Sequence, residues 1–274
     1  MSSDKLLPWA KPLLISSTLT QATIYVLRPM ITYRALELDA NAAQIGLIAS
    51  VYALFPVLLA LQFGKWVGRM GEAKFIIYGT LAMLVTSAGL MVANSILMLS
   101  IAAACAGTAH LACMVGGQSM VALRAPRESY DRYFGFYTFS ASVGHMLGPI
   151  VAAVVAGSNG NLPKSTSNAF LLGVVLTILA LFPVIRWRNE RPTVVAQQNS
   201  EGTYKTALNL VKRPGILAAI YISLAISSAA DVLVVFLPLF GTENNFSPYA
   251  VGAILAIRAG TTMLSRLFLG RLSE

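Results

Sequence analysis

The sequence predicts an all-α membrane protein, a polytopic bundle of transmembrane helices, and three observations predict it. Hydrophobic residues make up 56% of the 274 positions and charged residues only 11%, where soluble domains carry about 25% charge. Apolar runs of about 20 residues, enough to cross a bilayer, recur at roughly 12–33, 43–63, 75–93, 96–122, 132–157, 168–185, 215–240 and 248–269. The Lys and Arg residues gather on alternate connections between those runs. Such a bias marks the cytoplasmic side.

Taken in order, the first run follows Lys5 and Lys11 without a small-residue cleavage site behind it, so it reads as an uncleaved span. The second is free of charge from Ile45 to Phe63 and empties into Gly64-Lys65-Trp66-Val67-Gly68-Arg69-Met70-Gly71-Glu72-Ala73-Lys74, expected to be a glycine-hinged basic turn. The third follows at once. The fourth is dense in Ala and Gly between Ala102 and Gly117, a composition suited to close helix packing. Its Cys105 and Cys113 stand about 12 Å apart along a helix, too far to bridge. Arg124, Arg127 and Arg132 separate it from the fifth span, and the sixth ends at Arg186 and Arg188.

A long polar connection, Arg186 to Arg213, then divides six spans from two. Tyr204, Leu208 and Val211 recur in it at helical spacing and predict an interfacial helix. The expected division is a six-span bundle over 1–185, a cytoplasmic linker over 186–213 and a partial second bundle over 214–274. Sixteen of the 20 Lys and Arg lie on the side shared by the N-terminus, the basic turns and this linker. Arg34 and Lys164 lie on the other side, and Arg28 and Arg258 fall within spans. The N-terminus is therefore expected in the cytoplasm.

The second span has an echo. Gly46 and Gly64 stand 18 residues apart, as do Gly252 and Gly270, and Ile48, Ala53, Leu58 and Leu61 match Ile254, Ala259, Leu264 and Leu267 at the same offset. The end of the eighth span, Gly270-Arg271-Leu272-Ser273-Glu274, repeats the start of the basic turn. A repeated membrane unit follows.

On these residues the chain resembles the major facilitator superfamily of secondary transporters over its whole length. Gly64, Arg69, Gly71 and Lys74 match that family's loop between spans two and three, whereas Gly68 stands where an Asp is expected and Glu72 where a base is. In the second copy Glu274 takes the Asp position. A cytoplasmic carboxylate latch would thus fall to Glu274 or to the displaced Glu72. The resemblance implies twelve spans, so the chain is expected to be truncated after span eight, with the remaining C-terminal spans as its partner. It also implies a monomer in the plasma membrane, the inner membrane of a bacterium. In span five, Gly144, Gly148 and Pro149 resemble the Gly-x-x-x-Gly-Pro element of the family's exporters; the same residues serve equally as a helix-packing device. The span-four arginine of proton-coupled exporters is absent, with Ala103 in its place.

Ionisable residues within hydrocarbon are costly and mark sites or partners. Asp231 and Arg258 lie at similar depth on successive spans and are expected to pair, either as an opening gate or as a permanent tie. Arg28 either snorkels to the headgroups or faces an anionic solute, with Gln21 and Tyr25 on its face. His110 and His145 are candidates of lower rank, closer to packing residues than to proton carriers. No metal-ligand spacing, nucleophile-base pair or phosphate-binding glycine loop occurs, so a metal, an enzyme activity and ATP drive are not expected. The basic residues form no continuous face for nucleic acid. The expected function is alternating-access transport of a small organic solute, in contact with membrane lipid and driven by an ion gradient, the proton's being the first choice, without other cofactors. Efflux as an antiporter is the preferred direction, with a solute-uptake symporter as the alternative.

Overall fold

The computed structural model describes residues 6–190 and 211–272, with side chains of the last helix described as far as Leu264. Eight α-helices carry the fold: α1 (Ala10–Glu37), α2 (Ala42–Met70), α3 (Glu72–Met91), α4 (Ile96–Arg124), α5 (Tyr130–Ala156), α6 (Thr166–Val184), α7 (Ile216–Glu243) and α8 (Pro248–Leu272). Each falls on one of the eight expected spans. Short 3₁₀ turns precede α5 (Arg127–Ser129) and follow α6 (Ile185–Asn189). The expected interfacial helix lies almost wholly outside the described residues.

Six of the helices, α2 to α7, are long and apolar enough to cross a membrane. The first helix is not among them, because Ser16, Ser17, Thr18, Thr20, Gln21, Thr23 and Arg28 dilute its apolar content. It is nonetheless the centre of the bundle, packed against α5 and α6 and touching α4 and α7. Burial of its hydroxyls is made tolerable locally: Thr20 and Thr23 donate to the carbonyls of Ser16 and Leu19, each at 2.9 Å. The outer helices reverse this pattern, with Val57, Leu58 and Phe182 more than half exposed, the surface expected against lipid tails.

Helix starts are fixed by side-chain caps. Asn41 accepts from the Gln44 amide at 3.0 Å while the Gln44 side chain accepts from Asn41 N–H at 2.9 Å, a reciprocal box that starts α2. Ser95 and Ser165 cap α4 and α6. The basic stretch differs from expectation. Gly64 and Gly68 lie inside α2, and the turn into α3 is the single residue Gly71, whose φ of +89° only glycine adopts freely. Two glycines spaced by a helical turn weaken a helix without ending it.

The leading glycines of the expected repeat each meet another helix. Gly46 on α2 faces Phe236 of α7, and its sequence match Gly252 on α8 faces the Pro149 carbonyl of α5. Both stand where the six-helix group meets α7 and α8. These contacts lie away from the basic end (the end holding Met70, Arg124 and Arg127). Thr32 donates to the Val235 carbonyl at 3.0 Å, and the Asn161 amide to the Thr242 carbonyl at 2.8 Å. In α7 the buried residues are Val234, Leu237, Pro238 and Gly241, while Leu217, Tyr221 and Leu224 nearer the basic end are exposed. A cleft of about 500 Å³ between α5 and α8, lined by Arg132, Phe136 and Met263, opens at the basic end. The two groups of helices meet at the far end and part toward the basic one.

Candidate functional site

Midway along the bundle a chain of polar side chains runs through five helices. It begins on α7, where Asp231 Oδ1 accepts from Arg28 Nη1 of α1 at 2.7 Å. The Arg28 guanidinium carbon lies 4.8 Å from the centre of the Tyr52 ring of α2, a cation–π contact. The Tyr52 hydroxyl meets His110 Nδ1 of α4 at 3.1 Å. Both His110 Nε2 and His145 Nε2 of α5 lie 3.0 Å from Gln21 Oε1 on α1. The His145 ring stacks on Tyr25 at 4.0 Å.

The geometry assigns protons. With Gln21 Oε1 accepting from both imidazoles, each histidine carries its hydrogen on Nε2. His110 Nδ1 is then the acceptor for the Tyr52 hydroxyl. Gln21, Tyr25 and Arg28 share one face of α1 through their 4- and 3-residue spacing, as expected. Arg28 is buried to 9% exposure, which removes the snorkelling alternative, while Asp231 remains 55% exposed. A cavity of about 20 Å³ beside Arg28, Thr32 and Tyr52 has room for a water.

Two prolines add to this level. Pro29 and Pro149 sit inside α1 and α5, and proline has no N–H for the carbonyl four residues earlier. Those carbonyls belong to Tyr25 and His145, the stacked pair. The rings thus pack where both helices lack a ladder bond.

The expected Asp231–Arg258 pair is not formed; Asp231 pairs with Arg28. The reason is the packing of α8, which lies mainly along α5 rather than α7. A Cβ on Gly252 would stand 2.8 Å from the Pro149 carbonyl, and one on Gly260 would stand 3.4 Å from the Met146 sulfur. His110, ranked low from sequence, joins two partners in the chain. Tyr52 was not expected at all; its one sequence signal is a hydroxyl-bearing ring in a charge-free run.

The glycine pairs divide. Gly144 lies against Ala22 N and Gln21 Cβ of α1, and Gly148 against the Ala22 carbonyl and Tyr25 Cβ, so this element seats α5 on α1 beside the polar chain. Its packing role is fully accounted for. Among the described residues nothing stands within 4 Å of a Cβ at Gly64 or Gly68. Arg69 is exposed and Lys74 half-buried. Gly270 and Arg271 fall in the last turn of α8 without described side chains, and Glu274 lies outside the described residues.

A second ion network sits at the basic end. Arg124, closing α4, donates to Glu72 at the start of α3 at 2.8 Å and to Glu190 at 2.6 Å. Its guanidinium also lies 5.9 Å from the Trp187 ring centre. Glu72 is 2% exposed, and its place at a helix N-terminus, with Arg124 at a helix C-terminus, suits both macrodipoles. The displaced acid Glu72 therefore ties α3 to α4 and the turn after α6, all within the six-helix group. Among the described residues no group of three or more His, Cys, Asp or Glu could hold a metal ion.

Comparison with known proteins adds a family. The model described as Major Facilitator Superfamily matches residues 13–274. Multidrug resistance protein 1 of Bacillus subtilis (strain 168) is 25% identical over 146 residues, 53% of this chain and 38% of that protein. Multidrug resistance protein MdtG of Dickeya zeae (strain Ech586) is 23% identical over 241 residues, 84% of this chain and 56% of that protein. The chain thus spans about half the length, or less, of these curated relatives. Among solved structures, a bacterial homolog of the human lysosomal transporter Spinster, inward-facing and occupied, superposes with a TM-score of 0.68 at 16% identity, covering 96% of this chain and 62% of that one. A peptide transporter, POT, in complex with sulfate gives 0.56 at 15% identity, covering 84% and 49%. At such identities these two likenesses speak for the fold.

Proposed function

The chain belongs to the major facilitator superfamily, a family of membrane transporters rather than enzymes, and we propose that it works as part of a proton-driven exporter of a small organic solute. The observation that carries this reading is the Arg28–Asp231 pair, the one described ion pair that joins the six-helix group to α7. Among the described residues Asp231 is also the only carboxylate midway along a span. Its half-exposed position leaves it within reach of protons from the open side. Protonation would remove its charge, loosen the tie to Arg28 and free one group of helices to rock against the other.

The direction rests on the names of the relatives, both multidrug resistance proteins, since close packing accounts for Gly144 and Gly148. In this reading the basic end faces the cytoplasm of a bacterial inner membrane, the open cleft admits solute from that side, and one chain suffices. The test is extrusion of ethidium from cells, and its gradient-driven accumulation in everted vesicles, by the whole protein. Accumulation that collapses with the proton gradient supports export. Ethidium movement in the opposite sense would make the protein an importer, and indifference to the gradient would end the proton reading.

A further inference from the structure

Two guanidinium groups lie midway along the spans, Arg28 and Arg258, against one carboxylate, Asp231. Asp231 accepts from Arg28 at 2.7 Å. Arg258 is left without a carboxylate to match it, and its buried Nε has no hydrogen-bond partner among the described residues. A guanidinium offers five N–H donors and no acceptor, and it does not lose its proton. In a membrane interior such a group is completed by an anion or by water in a cavity.

Its position says which space it serves. Helix α8 touches α5 at two levels, Gly252 against Pro149 and Gly260 against Met146. Arg258 lies between them, close to the second, and so at the depth of His145 and its partner Gln21. Along α8, Val251 and Leu255 are buried in one cluster with Tyr25, Val234 and Leu237. Arg258 continues that stripe by one further turn toward the basic end, at the level where Arg28 of α1 holds Asp231 of α7. The residue itself is only half-buried. A cation thus stands beside the polar chain, five residues along α8 from Met263, which lines the open cleft.

Resting on the transporter reading, we propose that Arg258 is the anion-binding residue of the solute path, and that the solutes it accepts include ones that carry a carboxylate, phosphonate or phosphate. The planar fork of N–H groups receives two oxygens of such an anion side by side. Arg28, already neutralised by Asp231, does not compete for it in this state.

The test uses the whole protein in detergent, titrated with benzoate and phenylphosphonate, with benzamide as the uncharged control, reading the melting temperature. One or both anions are expected to raise it and benzamide is not. Arg258→Gln is expected to bind them at least about tenfold more weakly, with a ligand-free melting temperature no lower than wild type, and Arg258→Lys to keep part of the response. An equal response in Arg258→Gln, or none in wild type, overturns the proposal. So does a ligand-free melting temperature that falls in Arg258→Gln, because that marks a permanent partner inside the protein. Repeating the measurement in nanodiscs of phosphatidylglycerol and of phosphatidylcholine separates the sources of the anion. Stabilisation by phosphatidylglycerol that needs Arg258, without a response to the soluble anions, assigns the site to a lipid headgroup and overturns the solute. Ethidium extrusion keeps the two readings apart: gradient-driven extrusion with no anion response refutes the anion site alone, and no gradient-driven transport of any solute refutes the transporter reading beneath it.

Discussion

Two of the ion networks among the described residues use the same kinds of group and do opposite things. At the basic end the carboxylate is the buried member: Glu72 is 2% exposed and Arg124 19%. Midway along the bundle the guanidinium is buried, Arg28 at 9%, and its partner Asp231 is 55% exposed. The described contacts of the first network, Arg124 with Glu72 and Glu190, lie within the six-helix group. The second reaches across to α7. An ion pair whose members belong to one rigid group stabilises that group, whereas a pair whose members belong to two groups, with one member open to solvent, can be made and broken as they move.

The largest effect that separates them is a loss of stability. Arg124→Gln removes the guanidinium from the buried Glu72 and is expected to cost up to about 3 to 5 kcal/mol, read as a fall in the melting temperature of the purified protein. Transport per folded molecule should persist. The Glu190 arm, on a carboxylate 37% exposed, contributes little, and Glu190→Gln should change stability by less than about 1 kcal/mol. A variant at Arg124 that melts normally yet fails to transport would erase the distinction.

Next in size comes Asp231→Asn. The amide keeps the shape but leaves the buried Arg28 without its carboxylate, so the melting temperature should fall somewhat, while gradient-driven transport per folded molecule falls by about 100-fold, close to 2.7 kcal/mol in rate. Unchanged transport would show that the pair is merely structural.

The glycines sharpen the contrast at a smaller scale. A Cβ at Gly148 would stand 2.8 Å from the Ala22 carbonyl oxygen, a backbone atom of a buried helix. Gly148→Ala should therefore cost about 1 to 3 kcal/mol. At Gly68 nothing lies within 4 Å, and Gly68→Ala should be neutral or stabilising by up to about 1 kcal/mol through helix propensity. Thermal unfolding of the two variants checks both signs. Equal costs would mean that Gly68 has a contact outside the described residues.

Much of this was legible in sequence because a bilayer forces long apolar runs. The eight helices fall on the eight expected runs, and hydropathy alone finds α2 to α7. The same logic dims the signal for the functional helix. The first helix is buried by protein rather than lipid, so it carries Ser, Thr, Gln and Arg where the others carry Leu and Val. Gln21, Tyr25 and Arg28 were readable as one face from their spacing, which is local. Which cation would meet Asp231 was not, since that depends on α8 lying against α5 through Gly252 and Gly260, a tertiary choice. Tyr52 and His110 are paired across 58 residues, with no periodicity to announce them.

The smallest expected effect tests whether the polar chain acts as a unit. Tyr52 does two things: its ring lies under Arg28, and its hydroxyl donates to His110 Nδ1. Tyr52→Phe removes only the second. The lost bond is worth about 1 kcal/mol, roughly fivefold in transport rate. Tyr52→Leu removes the ring face as well and should add a comparable loss by weakening the setting of Arg28. If coupling runs through the whole chain, Tyr52→Phe in the Asp231→Asn background should cost less than it does alone, since the two substitutions would interrupt one path. Full additivity of the two rate losses would instead place Tyr52 and His110 outside the coupling step, as parts of the frame that holds Arg28 toward α7.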